Sequence, residues 1–503
     1  MVNKAVKNIV VVGGGSAGWM TATALSKVLQ SQYQIRVVES DEIGIIGVGE
    51  ATIPAIRTFN ELLQIDEDEF LRITQGTFKL GIEFVNWGAV GDRYMHGFGN
   101  IGQPIDGIGF HHYWLRRRLS GAASDLDSLS INTTAPRQAK FMRARTDMPG
   151  SPLSEIANAF HFDASLYARY LRGMAERAGV QRTEGIIVKV NQREGDGHIQ
   201  SLLMANGEVV EGDFFVDCSG IRALLIEQTL KVGYDDWSHW LPCDRAIAVP
   251  CASVQPLLPM TRSTAHSAGW QWRIPLQHRI GNGHVYSSTF MSEDEATSIL
   301  LKNLDGEQLA APRVVKFLTG RRRQFWKRNC VAVGLSSGFM EPLESTSLHL
   351  IQSAIVRMLA FFPWAGFDQA DVDEYNRQTA LEYEQIRDFL ILHYKATERT
   401  DSAFWNHCRT MDIPDSLRRK MALFRANGRV FRDNNELFGE ASWLQVMVGQ
   451  RVLPQGYHPM ADLRTEAELD AILGDVKRVV AKCVDVMPTH AEFIASHCAA
   501  VQS

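Results

Sequence analysis

The sequence lacks any long uninterrupted apolar run. Its most apolar stretch, residues 348–367, is broken by His349, Gln352, Arg357 and Pro363. A helix that spans a membrane needs about 20 consecutive apolar residues. The stretch therefore predicts a helix with one buried face that ends at Pro363, and no membrane partner is expected.

Cysteine is scarce and scattered. Seven cysteines occur in 503 residues, and no two form a C-x-x-C pair. This pattern excludes the usual zinc spacings and a disulfide framework, so we expect free thiols in a reducing compartment, the cytoplasm, and no metal site. The lysines and apolar residues at the N-terminus are similar to a signal peptide, but the run breaks into glycines at Gly13, which predicts a first β-strand.

A strong charge of either sign is also absent. The formal net charge is −5, with 22% charged and 45% hydrophobic residues. A nucleic-acid partner would need a basic face. The Arg-Arg-Arg clusters at 116–118 and 321–323 are short and isolated, so they predict solvated faces. The length fits two or three domains, or one large elaborated domain.

What the chain does have is a glycine-rich turn near its N-terminus. An apolar run leads into Gly13, Gly15 and Gly18 in the pattern G-x-G-x-x-G, and a helical pattern follows. These glycines permit a tight turn, close approach of a pyrophosphate and close helix packing. A second apolar run ends at Glu39, 21 residues after Gly18, near the spacing of a ribose-binding carboxylate. The motif predicts a dinucleotide site; a glycine turn without nucleotide is the alternative.

Three later segments favour FAD over NAD. Residues 43–56 form a glycine-containing loop before a helix, residues 211–220 indicate a strand with a tight turn, and residues 328–346 indicate a strand, loop and helix. This is the order found in FAD-dependent aromatic hydroxylases. Their late junction normally reads Gly-Asp, whereas Gly334 is followed here by Leu335, which disfavours a hydroxylase.

A second G-x-G-x-x-G motif after a strand is missing from the chain. The sequence therefore has no evident NAD(P)H-binding domain. If the protein uses reduced flavin, we expect a separate NAD(P)H-dependent flavin reductase to supply it.

Residues 270–275 read W-x-W-x-I-P, and two tryptophans at i and i+2 lie on one face of a strand. Core packing is their ordinary interpretation. Seven further motifs accompany this one, namely GGGSAGW, GVGEATIP, GTFKLGIEF, HGFG, FHFDA, VDCSG and EPLESTS. With them, the chain resembles the flavin-dependent halogenases, of which the tryptophan halogenases are the best-known members. The resemblance runs from the glycine turn to about residue 365.

The resemblance implies a reaction in which reduced FAD, O₂ and halide give hypohalous acid, which travels to a separate substrate pocket. It implies that Lys79 delivers the halogen there, from a hydrogen-bonded hypohalous acid or a haloamine. Glu344 would polarise this species or take the proton of the attacked ring; its ordinary interpretation is a helix-capping acid. Halide, chloride or bromide, would bind the backbone of Thr346 and Ser347.

The same resemblance implies the residues that hold FAD and substrate. The flavin would contact the glycine turn, the loop after β-strand two and the late junction, at Gly13, Gly15, Ser16, Ala17, Gly18, Glu39, Gly49, Glu50, Ala51, Leu335 and Leu348. A flat ring would lie between His96 and Phe98, although Gly97 replaces the family's more usual proline. Trp443 would be a stacking wall or a helix-core residue.

The sequence does not identify the substrate. Ser442–Trp443 stands where tryptophan halogenases have a pair of tyrosines, so free tryptophan is in doubt. An indole without the amino-acid group, a phenolic or pyrrolic compound, or a larger substrate are the alternatives. The sequence leaves open whether the protein is a monomer or a homodimer.

The predicted fold class is α/β, a Rossmann-like FAD-binding domain of the aromatic-hydroxylase type with substrate-side insertions. Residues 1–375 would form the FAD-binding module, interleaved with substrate-side segments at about 85–150 and 240–330, and residues 376–503 would form a mostly helical substrate-side region. Two alternatives to a halogenase remain: an FAD-dependent aromatic monooxygenase and a non-catalytic flavin-binding sensor.

Overall fold

The glycine turn lies at the edge of a parallel sheet in the computed structural model, which describes residues 5–43, 49–123, 125–364 and 366–500. The strands in chain order are β1 (Asn8–Val12), β2 (Gln34–Glu39), β3 (Gly49–Ala51), β4 (Thr77–Lys79), β5 (Gly81–Val85), β6 (Arg93–Gly97), β7 (Ala159–Asp163), β8 (Gln181–Glu184), β9 (Ile187–Gln192), β10 (Ile199–Met204), β11 (Val209–Glu211), β12 (Phe214–Asp217), β13 (Tyr234–Asp236), β14 (Arg245–Ala252), β15 (Thr261–His266), β16 (Gly269–Pro275), β17 (Arg279–Tyr286), β18 (Arg313–Lys316), β19 (Gly320–Arg322), β20 (Trp326–Lys327), β21 (Cys330–Ala332) and β22 (Gly338–Phe339).

The helices alternate with these strands in the first three quarters of the chain and then dominate. They are α1 (Ser16–Leu29), α2 (Ala55–Leu62), α3 (Glu67–Ile73), α4 (Phe110–Leu119), α5 (Ile131–Arg137), α6 (Ala164–Arg177), α7 (Glu293–Lys302), α8 (Ser347–Ala360), α9 (Gln369–Lys395), α10 (Ala403–Thr410), α11 (Asp415–Asn427), α12 (Glu440–Gly449), α13 (Glu466–Asp485) and α14 (His490–His497). Among the described helices, none combines the length and apolar character needed to cross a lipid bilayer.

The sheet that contains β1, the strand before the glycine turn, has the order β20-β21-β12-β1-β2-β8. β1 is buried over four of its five residues and pairs in parallel with both β2 and β12. The carboxyl ends of β1 and β12 therefore lie side by side, with Val12 opposite Asp217. Ligands of open parallel sheets bind at this edge. The predicted α/β class with a parallel sheet is confirmed.

The W-x-W-x-I-P segment forms β16, inside a seven-stranded sheet of order β18-β14-β17-β16-β15-β5-β6. All seven residues of β16 are buried. The Trp270 and Trp272 rings are 6.2 Å apart between centroids, so both pack in the core. The same sheet positions His96, which lies on its edge strand β6.

A small antiparallel sheet has the order β3-β7-β4, and its strand β3 packs against β16 and β17. Its central strand β7 pairs Phe162 with Glu50 on one side and Ala159 with Lys79 on the other. β3, which begins at Gly49, and β4, which ends at Lys79, therefore lie on opposite sides of β7, one strand apart.

The acid and hydroxyl run at 341–347 does not enter its helix directly. A 3-10 turn spans Pro342–Glu344, Ser345 adopts a left-handed conformation with φ 59°, and α8 begins at Ser347. The predicted buried stripe holds for Leu348, Ile351 and Ile355, whereas Leu359 is only half-buried. The helix ends at Ala360, before Pro363.

The C-terminal region from α9 onward contains the helices α9 to α14. The predicted division at residue 375 falls inside α9, which runs without a break from Gln369 to Lys395. The division into two regions therefore stays a prediction. α9 matters for the site because its buried second half, including His393, packs beneath Glu344.

Candidate functional site

Lys79 is a buried amine at the end of β4. Its side chain is 0% exposed, and its Nζ donates hydrogen bonds to the Thr52 carbonyl oxygen at 2.9 Å and to Ser345 Oγ at 2.8 Å. Burial lowers the pKa of Lys79 to about 7, against the opposing effect of the Glu344 carboxylate. A substantial share of the amine is therefore unprotonated, and nucleophilic, at neutral pH.

Glu344 is a buried carboxylate held by two histidines. Its Oε2 lies 2.8 Å from Nδ1 of His96, and its Oε1 lies 2.8 Å from Nε2 of His393. Burial alone would raise the pKa of Glu344, but His96 and His393 outweigh it and bring the pKa to about 2. The group is ionised at neutral pH.

Ser345 connects these two groups. It follows Glu344 in the chain, and its hydroxyl accepts the hydrogen bond from Lys79 Nζ. Its positive φ of 59° costs a non-glycine residue about 1–2 kcal/mol. Such strain persists only where the surrounding contacts hold it, and it clusters at functional sites.

The start of α8 presents free donors. The helix opens with the hydrogen bond that the Leu350 amide donates to the Thr346 carbonyl oxygen. Among the residues that the structure describes, no acceptor faces the amides of Thr346 and Ser347, and the buried Thr346 Oγ1 has no hydrogen-bond partner. Free amides at a helix start attract an anion without needing a cation.

The glycine turn fits a dinucleotide. A Cβ at Gly13 would lie 2.2 Å from the Cys218 carbonyl oxygen and one at Gly18 would lie 1.8 Å from the Gly13 carbonyl oxygen, whereas a Cβ at Gly15 would meet no atom within 4 Å. The first and third glycines are thus required by packing, and the second leaves open space beside the uncapped start of α1 at Ser16. A pyrophosphate suits that space.

Glu39 ends β2 beside this turn. Its carboxylate would overlap a Cβ at Gly14, and Arg182 donates to its Oε1 at 2.5 Å. The late junction lies close by, because a Cβ at Gly334 would touch both Ala17 and Ile351. The glycine turn and α8 therefore lie close together. A single flavin that reaches both requires this arrangement.

The other residues proposed for the flavin surround this edge. Gly49, Ala51 and Leu348 are buried, and Leu335 is exposed. Burial raises the pKa of Glu50 to about 7. Residues 44–48 of the loop predicted to contact the flavin lie outside the described residues.

The predicted substrate residues separate into two layers. Phe98 is half-buried with its ring centroid 5.1 Å from Lys79 Nζ, and His96 contacts Glu344, so both lie at the amine and carboxylate. Trp443 lies behind them. It is 1% exposed, packs edge-on against Phe389 at 4.9 Å, and Phe389 in turn lies 5.6 Å from His96.

Sequence motifs missed two residues of this site, Ser345 and His393. Ser345 was visible within the EPLESTS motif, but its contact with Lys79 depends on a left-handed turn that the sequence does not reveal. His393 lies in the run DFLILHYK, where a single histidine among apolar residues is its one local signal.

Comparison with known proteins assigns the family. The tryptophan halogenase family model matches residues 8–466. Xcc4156, a flavin-dependent halogenase from Xanthomonas campestris, is 49% identical and superposes with a TM-score of 0.96 over 99% of this chain and 100% of that chain. BrvH, a flavin-dependent halogenase from Brevundimonas sp. BAL3, is 46% identical with a TM-score of 0.94 over 98% and 99% of the two chains.

A curated relative extends the comparison. Tryptophan 6-halogenase ThaL from Streptomyces albogriseolus is 34% identical over 522 aligned residues, which cover 96% of this chain and 97% of ThaL. The resemblance predicted from the separated motifs is thus confirmed over nearly the whole length, and the hydroxylase and sensor alternatives are not favoured. The chain belongs to the tryptophan halogenase family and is a flavin-dependent halogenase.

Proposed function

We propose that this halogenase acts on an electron-rich aromatic ring such as an indole, with Lys79 presenting the halogen and Glu344 receiving the ring proton. One observation carries the proposal: a buried amine and a buried carboxylate are joined through the single residue Ser345. Phe98 lies beside the amine and His96 lies beside the carboxylate. A flat ring between these two side chains would face both groups.

When bound, reduced FAD together with O₂ and halide supplies hypohalous acid. The glycine turn from Gly13 to Gly18 and Glu39 would hold the flavin, and the free amides of Thr346 and Ser347 would hold the halide. A separate NAD(P)H-dependent reductase supplies reduced flavin, because the chain has one dinucleotide motif in its sequence. The scattered cysteines support a cytoplasmic enzyme.

Lys79 holds the oxidised halogen through a hydrogen bond or as a haloamine. Its low pKa keeps the amine available for either arrangement. The ring carbon attacks the halogen, so a carbon–halogen bond forms while the halogen–oxygen or halogen–nitrogen bond breaks. The leaving group takes up a proton and departs as water or remains as the Lys79 amine. The ring becomes cationic and its proton passes to a Glu344 oxygen, which restores aromaticity.

Glu344 suits this role even with a pKa of about 2. A halogenated ring cation is a strong acid, so a weak base can accept its proton. What the site needs is a carboxylate that stays ionised while buried, because its charge stabilises the cationic ring in a dry environment.

Free tryptophan is a poorer candidate than indole. The tyrosine pair expected for amino-acid recognition is replaced by Ser442–Trp443. The indole of the buried Trp443 donates to Glu436, which precedes α12, at 3.2 Å, so it does not offer a polar group to an ammonium or carboxylate.

The test combines the purified chain with FAD, a generic flavin reductase, NADH, O₂ and indole, with chloride or bromide as the salt. Mass spectrometry should find a product with the halogen isotope doublet, and the two salts report the halide preference. A hydroxylated product that forms without halide would instead support an oxygen-inserting enzyme. Tryptophan in place of indole should give less product; equal or faster turnover would overturn the substrate proposal.

A further inference from the structure

His393 is fully buried on α9 and contacts an acceptor at each ring nitrogen. Its Nδ1 lies 2.9 Å from the Phe389 carbonyl oxygen, one turn earlier, and its Nε2 lies 2.8 Å from Glu344 Oε1. A carbonyl oxygen can only accept, so Nδ1 carries a hydrogen. The ring is not turned to aim an N–H straight at Oε1, so Nε2 and the carboxylate are in close contact without an aligned hydrogen bond.

Two acids in the same loop show what this contact changes. Glu341 and Glu344 are both buried. Glu341 accepts a hydrogen bond from the Trp270 indole at 3.3 Å, and burial raises its pKa to about 7. Glu344, placed between His96 and His393, has a pKa of about 2 despite equal burial.

The ring of His393 is also fixed from several sides. Phe84 packs against it at 4.8 Å and Trp87 at 6.0 Å between ring centroids. The Gln450 side chain, directly after α12, donates to the backbone carbonyl oxygen of His393 at 3.0 Å. A ring held in this way can transmit its position to the carboxylate it contacts.

We propose that His393 is a positioning residue of the halogenation site, which fixes the Glu344 carboxylate toward the substrate and keeps it ionised. This inference rests on the role proposed above for Glu344. The ionisable groups that face the pair are Lys79 on β4 and Tyr94 and His96 on β6. Burial and the charge of Glu344 raise the pKa of Tyr94 well above its usual range. The Tyr94 phenol is therefore uncharged near neutral pH and does not take over the effect of His393 on Glu344.

Two substitutions separate the contacts of the ring. His393→Asn keeps a donor near the Nδ1 position, for the Phe389 carbonyl, and loses the contact with Glu344. His393→Gln places an amide donor near the Nε2 position and keeps that contact through the amide. We expect His393→Asn to lower halogenation turnover about 100-fold, as misplacement of a catalytic group does, while His393→Gln recovers much of the loss.

The pH profile tests the ionisation directly. In His393→Asn, Glu344 loses a neighbour that lowers its pKa, so the acidic limb of the turnover profile should move to higher pH, with a smaller move in His393→Gln. Thermal unfolding and release of hypohalous acid without arene check that each variant is folded. Equal loss in both variants with an unmoved acidic limb would indicate a merely structural role and overturn the proposal.

A measurement on the unsubstituted residue covers the case in which the buried variants do not fold. Chains labelled with ¹⁵N-histidine, as wild type and as Glu344→Gln, should differ in the ring-nitrogen signals of His393 and His96. If Glu344→Gln changes the ring-nitrogen signals of His96 and leaves those of His393 unchanged, the proposal is wrong. If the wild type forms no organohalide at all, the proposed function itself fails, which is a separate result.

Discussion

Ser345 accepts a hydrogen bond from the Lys79 amine at 2.8 Å while its backbone directly continues from Glu344. The two candidate catalytic groups are therefore connected by one residue in a left-handed turn. This turn also orients the free amides of Thr346 and Ser347, so one short segment positions the lysine, the carboxylate and an anion site.

Ser345→Ala should lower halogenation about 10-fold, because an amine that loses a fixed acceptor is less well oriented. Ser345→Gly is the matched variant, since it removes the hydroxyl and also relieves the positive-φ strain. We expect Ser345→Gly to be the more stable of the two in thermal unfolding but equally impaired in turnover. Activity near that of the wild type in both variants would show that the hydroxyl does not orient Lys79.

Glu344→Gln should reduce turnover by about 10²–10⁴-fold if the carboxylate receives the ring proton. The amide is nearly the same size, so the folded state and flavin binding should persist. Steady-state rates with indole, together with a flavin-binding titration, measure both. A rate within a few-fold of the wild type would leave Glu344 with a structural role only, as the buried partner of His96 and His393.

The low pKa of Lys79 predicts a pH-dependent stability. The pKa is about 7 in the folded chain against 10.5 for the ordinary group. Between these values the unfolded chain binds more protons than the folded chain, so the free energy of unfolding rises with pH. Denaturant unfolding of wild type and Lys79→Met at pH 7 and pH 9 tests this. The wild type should gain stability relative to Lys79→Met at the higher pH; a constant difference would mean that the amine stays charged when buried.

Gly15 and Gly18 should respond differently to alanine. Gly15→Ala adds a Cβ into open space, so the protein should fold while FAD binding weakens. Gly18→Ala would place a Cβ 1.8 Å from the Gly13 carbonyl oxygen, so the folded state should be destabilised before any ligand is added. Thermal unfolding without FAD, followed by an FAD titration of each folded variant, separates the effects. Unchanged FAD affinity in Gly15→Ala would argue against a pyrophosphate at that glycine.

Much of this architecture could be predicted from local patterns. The G-x-G-x-x-G turn, the strand that ends at Glu39 and the strand of Trp270 all depend on residues close together in the chain, and each was found as predicted. Family resemblance then indicated Lys79 and Glu344, and the structure places both in one buried site.

The rest depends on contacts distant in sequence. His393 lies 49 residues after Glu344, and no spacing rule relates them, since α9 reaches the site only through tertiary packing. The burial of Trp443 was equally hidden, because a tryptophan on a helix suits both a core and a binding wall. The turn at Ser345 escaped prediction because serine has no preference for positive φ.

The most direct test of the central claim compares the wild type with Lys79→Ala in the presence of FAD, a flavin reductase, NADH, O₂, bromide and indole. Brominated indole is measured by mass spectrometry, and hypobromous acid is measured in parallel reactions that replace indole with a reactive halogen trap. We expect Lys79→Ala to form no regioselective brominated indole while it still binds FAD and releases hypobromous acid. Regioselective bromination at the wild-type rate in Lys79→Ala would contradict the assignment of halogen delivery to this lysine.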